Sequence, residues 1–150
     1  MPLLLLPRVV APGTARAKLH EASAPPGDWA VAGAFRYAHR DPAGLVGREA
    51  VAFSSSWLGI ASFAPALRVE VAEIAPAALE EAARLLAARI LDAWPDATPA
   101  QAVDAALEEV EFALALCAHP RGTILELRRE FGEQGLVERA SVVSGPRGAG

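Results

Sequence analysis

Between Pro76 and Pro120 the sequence carries two helical stripes separated by a single proline break. Leu79, Ala83, Leu86, Ile90 and Trp94 recur at spacings of four, three, four and four, the repeat of one helix face. Glu80, Glu81, Arg84 and Asp92 fall on the other side, where Glu80 can pair with Arg84 one turn on. Pro95-Asp96 interrupts the pattern, and Thr98-Pro99-Ala100-Gln101 restarts it. Thr98 can accept from the Gln101 backbone while the Gln101 side chain reaches back, and Pro99 is preset for the first helical position. The second helix is expected to reach Ala118 and stop at Pro120, with Val103, Ala106, Leu107, Val110, Leu114 and Cys117 as its buried stripe. Two helices joined so briefly pack antiparallel.

Around this pair the chain has a period of two. Residues 3–10 read as a strand that Pro7 places at a sheet edge or a bulge. Residues 15–22 alternate Ala15, Ala17 and Leu19 with Arg16, Lys18 and His20, a half-exposed strand. After a Pro25-Pro26-Gly27 loop, Trp29, Val31, Gly33, Phe35 and Tyr37 alternate with Ala30, Ala32, Ala34 and Ala38. That predicts a central strand covered on both sides, with Gly33 marking a bulge or a close backbone approach. Asp41-Pro42 opens a short helix to about Ser55, which Trp57-Leu58-Gly59-Ile60 ends. Residues 65–74 alternate again through Leu67, Val69 and Val71. Residues 123–131 and 136–143 form a hairpin about a four-residue loop, Gly132 to Gly135.

Strands, helix, strand, helices, strands is an α+β order rather than alternating βαβ. The expected fold is one domain over residues 1–144. An antiparallel sheet of five or six strands carries the helix pair on one face and one further short helix. The hairpin joins the sheet of residues 28–38, and residues 145–150 form a disordered tail.

Composition narrows the function classes. The 150 residues suit one domain, and 34 of them are alanine, so the 53% hydrophobic fraction overstates the bulk available for a core. One cysteine excludes an internal disulfide, and no apolar run approaches 18 residues, so no membrane span is expected. Met1–Arg8 has no basic leader pattern, so a cytoplasmic location is expected. The net charge of −4 argues against nucleic-acid binding, and it is unevenly spread. Residues 1–50 hold six basic and four acidic groups, residues 51–120 three and ten, and residues 121–150 five and four.

Three groups of residues are candidates for a site. Cys117 and His119 could supply two metal ligands, or a thiolate beside an imidazolium, with Arg121 nearby in a pocket where the helix meets the hairpin. Against this, Cys117 lies on the apolar stripe, and positions two apart diverge on a helix. His20 and His39 are remote in sequence, so no metal and no cofactor are expected. Asp104, Glu108 and Glu111 form an acidic row, and no Lys or Arg occurs between residues 99 and 119. That row is either a solvated face or a dock for a basic partner. Arg16, Lys18 and His20 either protect an edge strand or bind a small anion. Ser54-Ser55-Ser56 matches no nucleophile pattern, and no phosphate-binding loop is present. The reading that follows is a non-enzymatic accessory or protein-interaction domain, with an unknown protein partner or self-association as a homodimer. A small enzyme or ligand-binding domain built on Cys117 and His119 is the alternative.

Three stretches together resemble an uncharacterised bacterial family, a domain of unknown function. They are Gly27-Asp28-Trp29-Ala30-Val31-Ala32-Gly33-Ala34-Phe35, then Trp57-Leu58-Gly59-Ile60 with Ser62-Phe63, then Cys117-Ala118-His119-Pro120-Arg121-Gly122-Thr123. The resemblance spans nearly the whole chain. It implies a small, soluble, single-domain bacterial protein and carries over no catalytic residue.

Overall fold

A computed structural model describes residues 4–10, 24–37, 44, 47, 53–133 and 135–145. Its strands are β1 (Leu5–Val9), β2 (Ala30–Val31), β3 (Trp57–Gly59), β4 (Pro65–Ala66), β5 (Arg68–Glu73), β6 (Ile124–Gly132) and β7 (Gly135–Ser144). Its long helices are α1 (Pro76–Ala93) and α2 (Pro99–Leu116), and Ala34–Tyr37 is a 3-10 turn. The fold is α+β, as the element order implies. The strands form two antiparallel sheets, however, in the orders β1-β5-β6-β7 and β2-β3-β4. The hairpin therefore joins β5 and β1, not the segment after Asp28. A bridge between Arg8 and Trp29 links the two sheets.

Pro7 sits where its chemistry allows. The Val9 N–H donates to the Asp28 carbonyl at 2.7 Å, on the side of β1 away from β5. Pro7 has the same parity, so the N–H it lacks falls on that outer edge and costs the β1–β5 ladder nothing.

Period-two alternation on the short strands separates two cores. Ala30, Trp57 and Ala66 pack with Val9, Val69, Val71, Leu125 and Leu127 of the larger sheet. Val31, Leu58 and Ile60 pack with Leu86 and Ile90 of α1 and with Ala106 and Val110 of α2. The small sheet thus lies between the large sheet and the helix pair, and this is why both faces of β2 are buried.

The strand expected over residues 29–38 ends at Val31. Gly33 adopts φ +80°, and a Cβ there would lie 2.7 Å from the Leu58 Cβ, so the chain turns where only glycine fits. Close approach at Gly33 was legible, but the alternation beyond it belongs to a 3-10 turn. Residues 57–60, expected to end a helix, instead supply β3. Of the short helix expected over residues 42–55, residues 53–55 are helical and nearly all the rest lies outside the described residues. The strand expected at 15–22 and the tail from residue 146 also lie outside them.

The capping box forms in full. Thr98 Oγ1 accepts from the Gln101 N–H at 3.1 Å, and Gln101 Oε1 accepts from the Thr98 N–H at 2.9 Å. The buried stripe of α2 is Ala102, Ala106, Val110, Ala113 and Cys117, while Val103 and Leu107 are each 47% exposed. Small alanines let the helix sit close to α1 and the small sheet, which rotates the larger side chains out of the contact. In the hairpin, Gly132 pairs directly with Gly135, so the connection is two residues, not four, and Gly135 takes φ +108°.

Candidate functional site

Cys117 caps the C-terminus of α2, and its N–H donates to the Leu114 carbonyl. Its side chain is buried in the cluster of Trp57, Val71 and Leu125, and burial pushes the thiol up to about 12. It therefore stays protonated at neutral pH, the state of an inert thiol. The His119 N–H donates to the Cys117 carbonyl at 2.8 Å, so backbone rather than side-chain chemistry joins the two residues. Arg121 is exposed and paired with Glu73 at 2.8 Å. It lines a groove of about 850 Å³ with Arg8, Arg68 and Glu70, where the guanidiniums already have carboxylate partners. Arg8 faces Glu70 and Arg68 faces Glu126 directly across the sheet. Arg16, Lys18 and His20 lie outside the described residues. Among the described residues no group of three or more His, Cys, Asp or Glu side chains is placed to hold a metal.

The most elaborate polar site lies on the hairpin, at a residue that sequence reasoning passed over. Leu125, Leu127 and Arg129 occupy successive inward positions of β6, and all three are buried. The Arg129 side chain is 0% exposed and pairs at 2.9 Å with Glu138, its direct neighbour on β7. A buried guanidinium is tolerable only when its donors are met. Here Nη2 also donates to the Ala32 carbonyl at 2.7 Å, and Nη1 donates to that of Phe53. These carbonyls belong to Ala32, just past β2, and to Phe53, in a helical turn. Arg36 joins them, donating through Nε to Gly33 at 2.9 Å and through Nη2 to Ser56 at 3.3 Å. The signal was available in the period-two series 125, 127, 129 and in the hairpin register that sets Glu138 opposite.

Glu109 completes this network from α2. It accepts from the Gly33 N–H at 3.0 Å and is held against the Phe35 N–H. It thereby caps the 3-10 turn from another element. Burial raises its pKa most, and the nearby Glu138 adds to this, while the two N–H donors and Arg129 oppose it. A cavity of about 520 Å³ opens beside it, lined by Phe35, Phe112, Leu136 and Glu138 among others.

The expected acidic row behaves differently. Asp104, Glu108 and Glu111 are all exposed. With about 100° per residue, they lie on the helix flank next to Val103 and Leu107. Val103 and Leu107 line a groove of about 590 Å³ between the two helices, with Leu91, Ala87, Glu80 and Arg84. The three carboxylates stand on the flank of α2 beside this groove rather than in its lining, and Glu108 also lines the cavity next to Glu109.

The second exposed apolar element is β7. Among the described residues it pairs only with β6, and Leu136, Val137, Val142 and Val143 are all exposed, Val142 at 53%. No described helix is long and apolar enough to cross a membrane. No curated protein and no solved structure matches the chain. A family of unknown function, DUF6505, matches residues 5–148, and the chain belongs to that family.

Proposed function

We propose that the chain is an accessory protein of the bacterial cytoplasm that docks a basic amphipathic segment of a protein partner in the α1/α2 groove. One observation carries this reading. Val103 and Leu107 stand 47% exposed above Leu91, beside a row of three carboxylates on a helix without any Lys or Arg. A partner helix with apolar residues at turn spacing would fill the floor, and its basic flank would meet Asp104, Glu108 and Glu111. The alternative reading, chemistry at Cys117 and His119, draws no support from a buried and protonated thiol.

The test uses a designed helical peptide with leucines on one face and lysines on the other, titrated into the isotopically labelled protein. Resonance shifts should centre on Leu91, Val103 and Leu107, and affinity should fall as salt rises. Leu107→Asp should weaken binding about ten- to hundred-fold, the scale of one lost buried leucine contact. Shifts centred elsewhere, or an affinity that Leu107→Asp leaves unchanged, would overturn the reading.

A further inference from the structure

We infer that β7 is a self-association edge, which pairs antiparallel with β7 of a second copy about a two-fold axis at Ala140. This surface is separate from the α1/α2 groove and stands or falls independently of it.

The backbone decides which groups are free. The Val71 N–H donates to the Thr123 carbonyl, and its carbonyl accepts from the Gly122 N–H, so the odd residues of β5 bond toward β6. Val69 lies directly opposite Leu125, so Leu125 bonds toward β5, and Glu126, Arg128 and Glu130 bond toward β7. Their partners Ser141, Arg139 and Val137 are thereby satisfied within the hairpin. The polar groups of Leu136, Glu138, Ala140 and Val142 point to the outer edge, which no described strand covers.

Few two-fold registers use those groups. A centre at Arg139 would set two guanidiniums face to face. A centre at Glu138 would oppose two carboxylates, and one at Val142 would run into the register shift at Val143. A centre at Ala140 aligns residues 138–142 of both copies, the stretch before the register shift at Val143. Ala140 exchanges both bonds with Ala140 of the second copy, and Glu138 does so with Val142. Arg139 then faces Ser141 and keeps its own partner Glu130 at 3.3 Å, and Glu138 keeps Arg129. Inward- and outward-facing residues of the two copies stay on matching faces, and the four-stranded sheet continues as one of eight.

The test rests on Ala140→Pro. Its N–H faces the open edge, so proline removes only the intermolecular bond and leaves the β6 ladder intact. Light scattering on the full chain should show mass rising from one copy toward two with concentration, and A140P should abolish that rise while retaining a cooperative thermal melt. Cysteine cross-linking fixes the register, since the native Cys117 is buried. Ala140→Cys should form a disulfide-linked dimer under mild oxidation. Val137→Cys should not, because the two copies of residue 137 stand six positions apart, or ~20 Å. A single-copy mass at every concentration, or a dimer that A140P leaves unchanged, would refute the edge. Cross-linking at Val137 but not at Ala140 would refute the register.

Discussion

β6 and β7 are the two arms of one hairpin, paired residue for residue from Leu125 and Val142 to the turn, yet they invert the usual sorting of side chains. β6 buries a charged residue, Arg129, beside Leu125 and Leu127. β7 leaves Leu136, Val137, Val142 and Val143 in solvent. Residue type does not separate the arms; position does. β6 pairs with β5 at its start and packs above Trp57, so Leu125, Leu127 and Arg129 are enclosed and Arg129 must find acceptors there. Among the described residues β7 is the last strand of its sheet, and its outer edge has no partner strand. A buried charge with a full set of partners and an apolar edge that no described strand covers are therefore signs of different work. The first ties the backbone at Ala32 and Phe53 to the sheet, and the second offers contact to another molecule.

The largest expected effect follows from removing the enclosed charge. Arg129→Ala leaves Glu138 without its guanidinium and takes a donor from the carbonyls of Ala32 and Phe53, and should cost about 3–5 kcal/mol in urea unfolding, the range for a broken buried pair. Replacing both partners, Arg129→Met with Glu138→Leu, removes the carboxylate as well and should recover part of that loss. What remains measures how far the guanidinium anchors the backbone at Ala32 and Phe53. Full recovery would reduce Arg129 to an ion pair and weaken its contrast with β7.

A smaller effect is expected at Glu109, the acid that joins the same network from α2. Burial holds its folded-state pKa above the ordinary glutamate range, against the pull of the Gly33 and Phe35 N–H groups and Arg129 and with the push of Glu138. The folded state therefore favours the protonated acid. Its contribution to stability is fully present below the unfolded-state pKa and is lost as pH rises through the folded-state one. Glu109→Gln keeps an acceptor for the Gly33 N–H and carries no charge. Thermal melts across the mildly acidic range should show the wild type losing stability relative to Glu109→Gln as pH rises. A difference between the two that does not change with pH would remove the charge from the account of this site.

How much of this was legible depends on how local the determinant is. The capping box at Thr98, the helix pair and the two arms of the hairpin are set by neighbours within a few residues and form where the sequence implies, while the hairpin's loop length and its neighbour in the sheet do not. The α2 stripe went astray because Val103 and Leu107 outrank Ala102 and Ala113 in hydrophobicity. Close packing against α1 favours the smaller residues, a choice that depends on distance between helices. The alternation after Gly33 misled because alanine is so frequent that it falls on period two without a strand. Cys117 was readable as a core residue from its place on the stripe. Arg129 was hidden by its charge, although its spacing from Leu125 and Leu127 marked it as inward-facing. Arg16, Lys18 and His20 lie outside the described residues.

Amide hydrogen exchange, residue by residue along the hairpin and at rising protein concentration, tests the contrast between the arms most directly. Val137 and Arg139 bond to β6 and should be protected at every concentration. Leu136, Glu138, Ala140 and Val142 face the open edge and should exchange fast in dilute solution, then slow together as the protein is concentrated. Equal protection of both sets in dilute solution, or fast exchange of the second set at the highest concentration reached, would contradict the open, self-pairing edge.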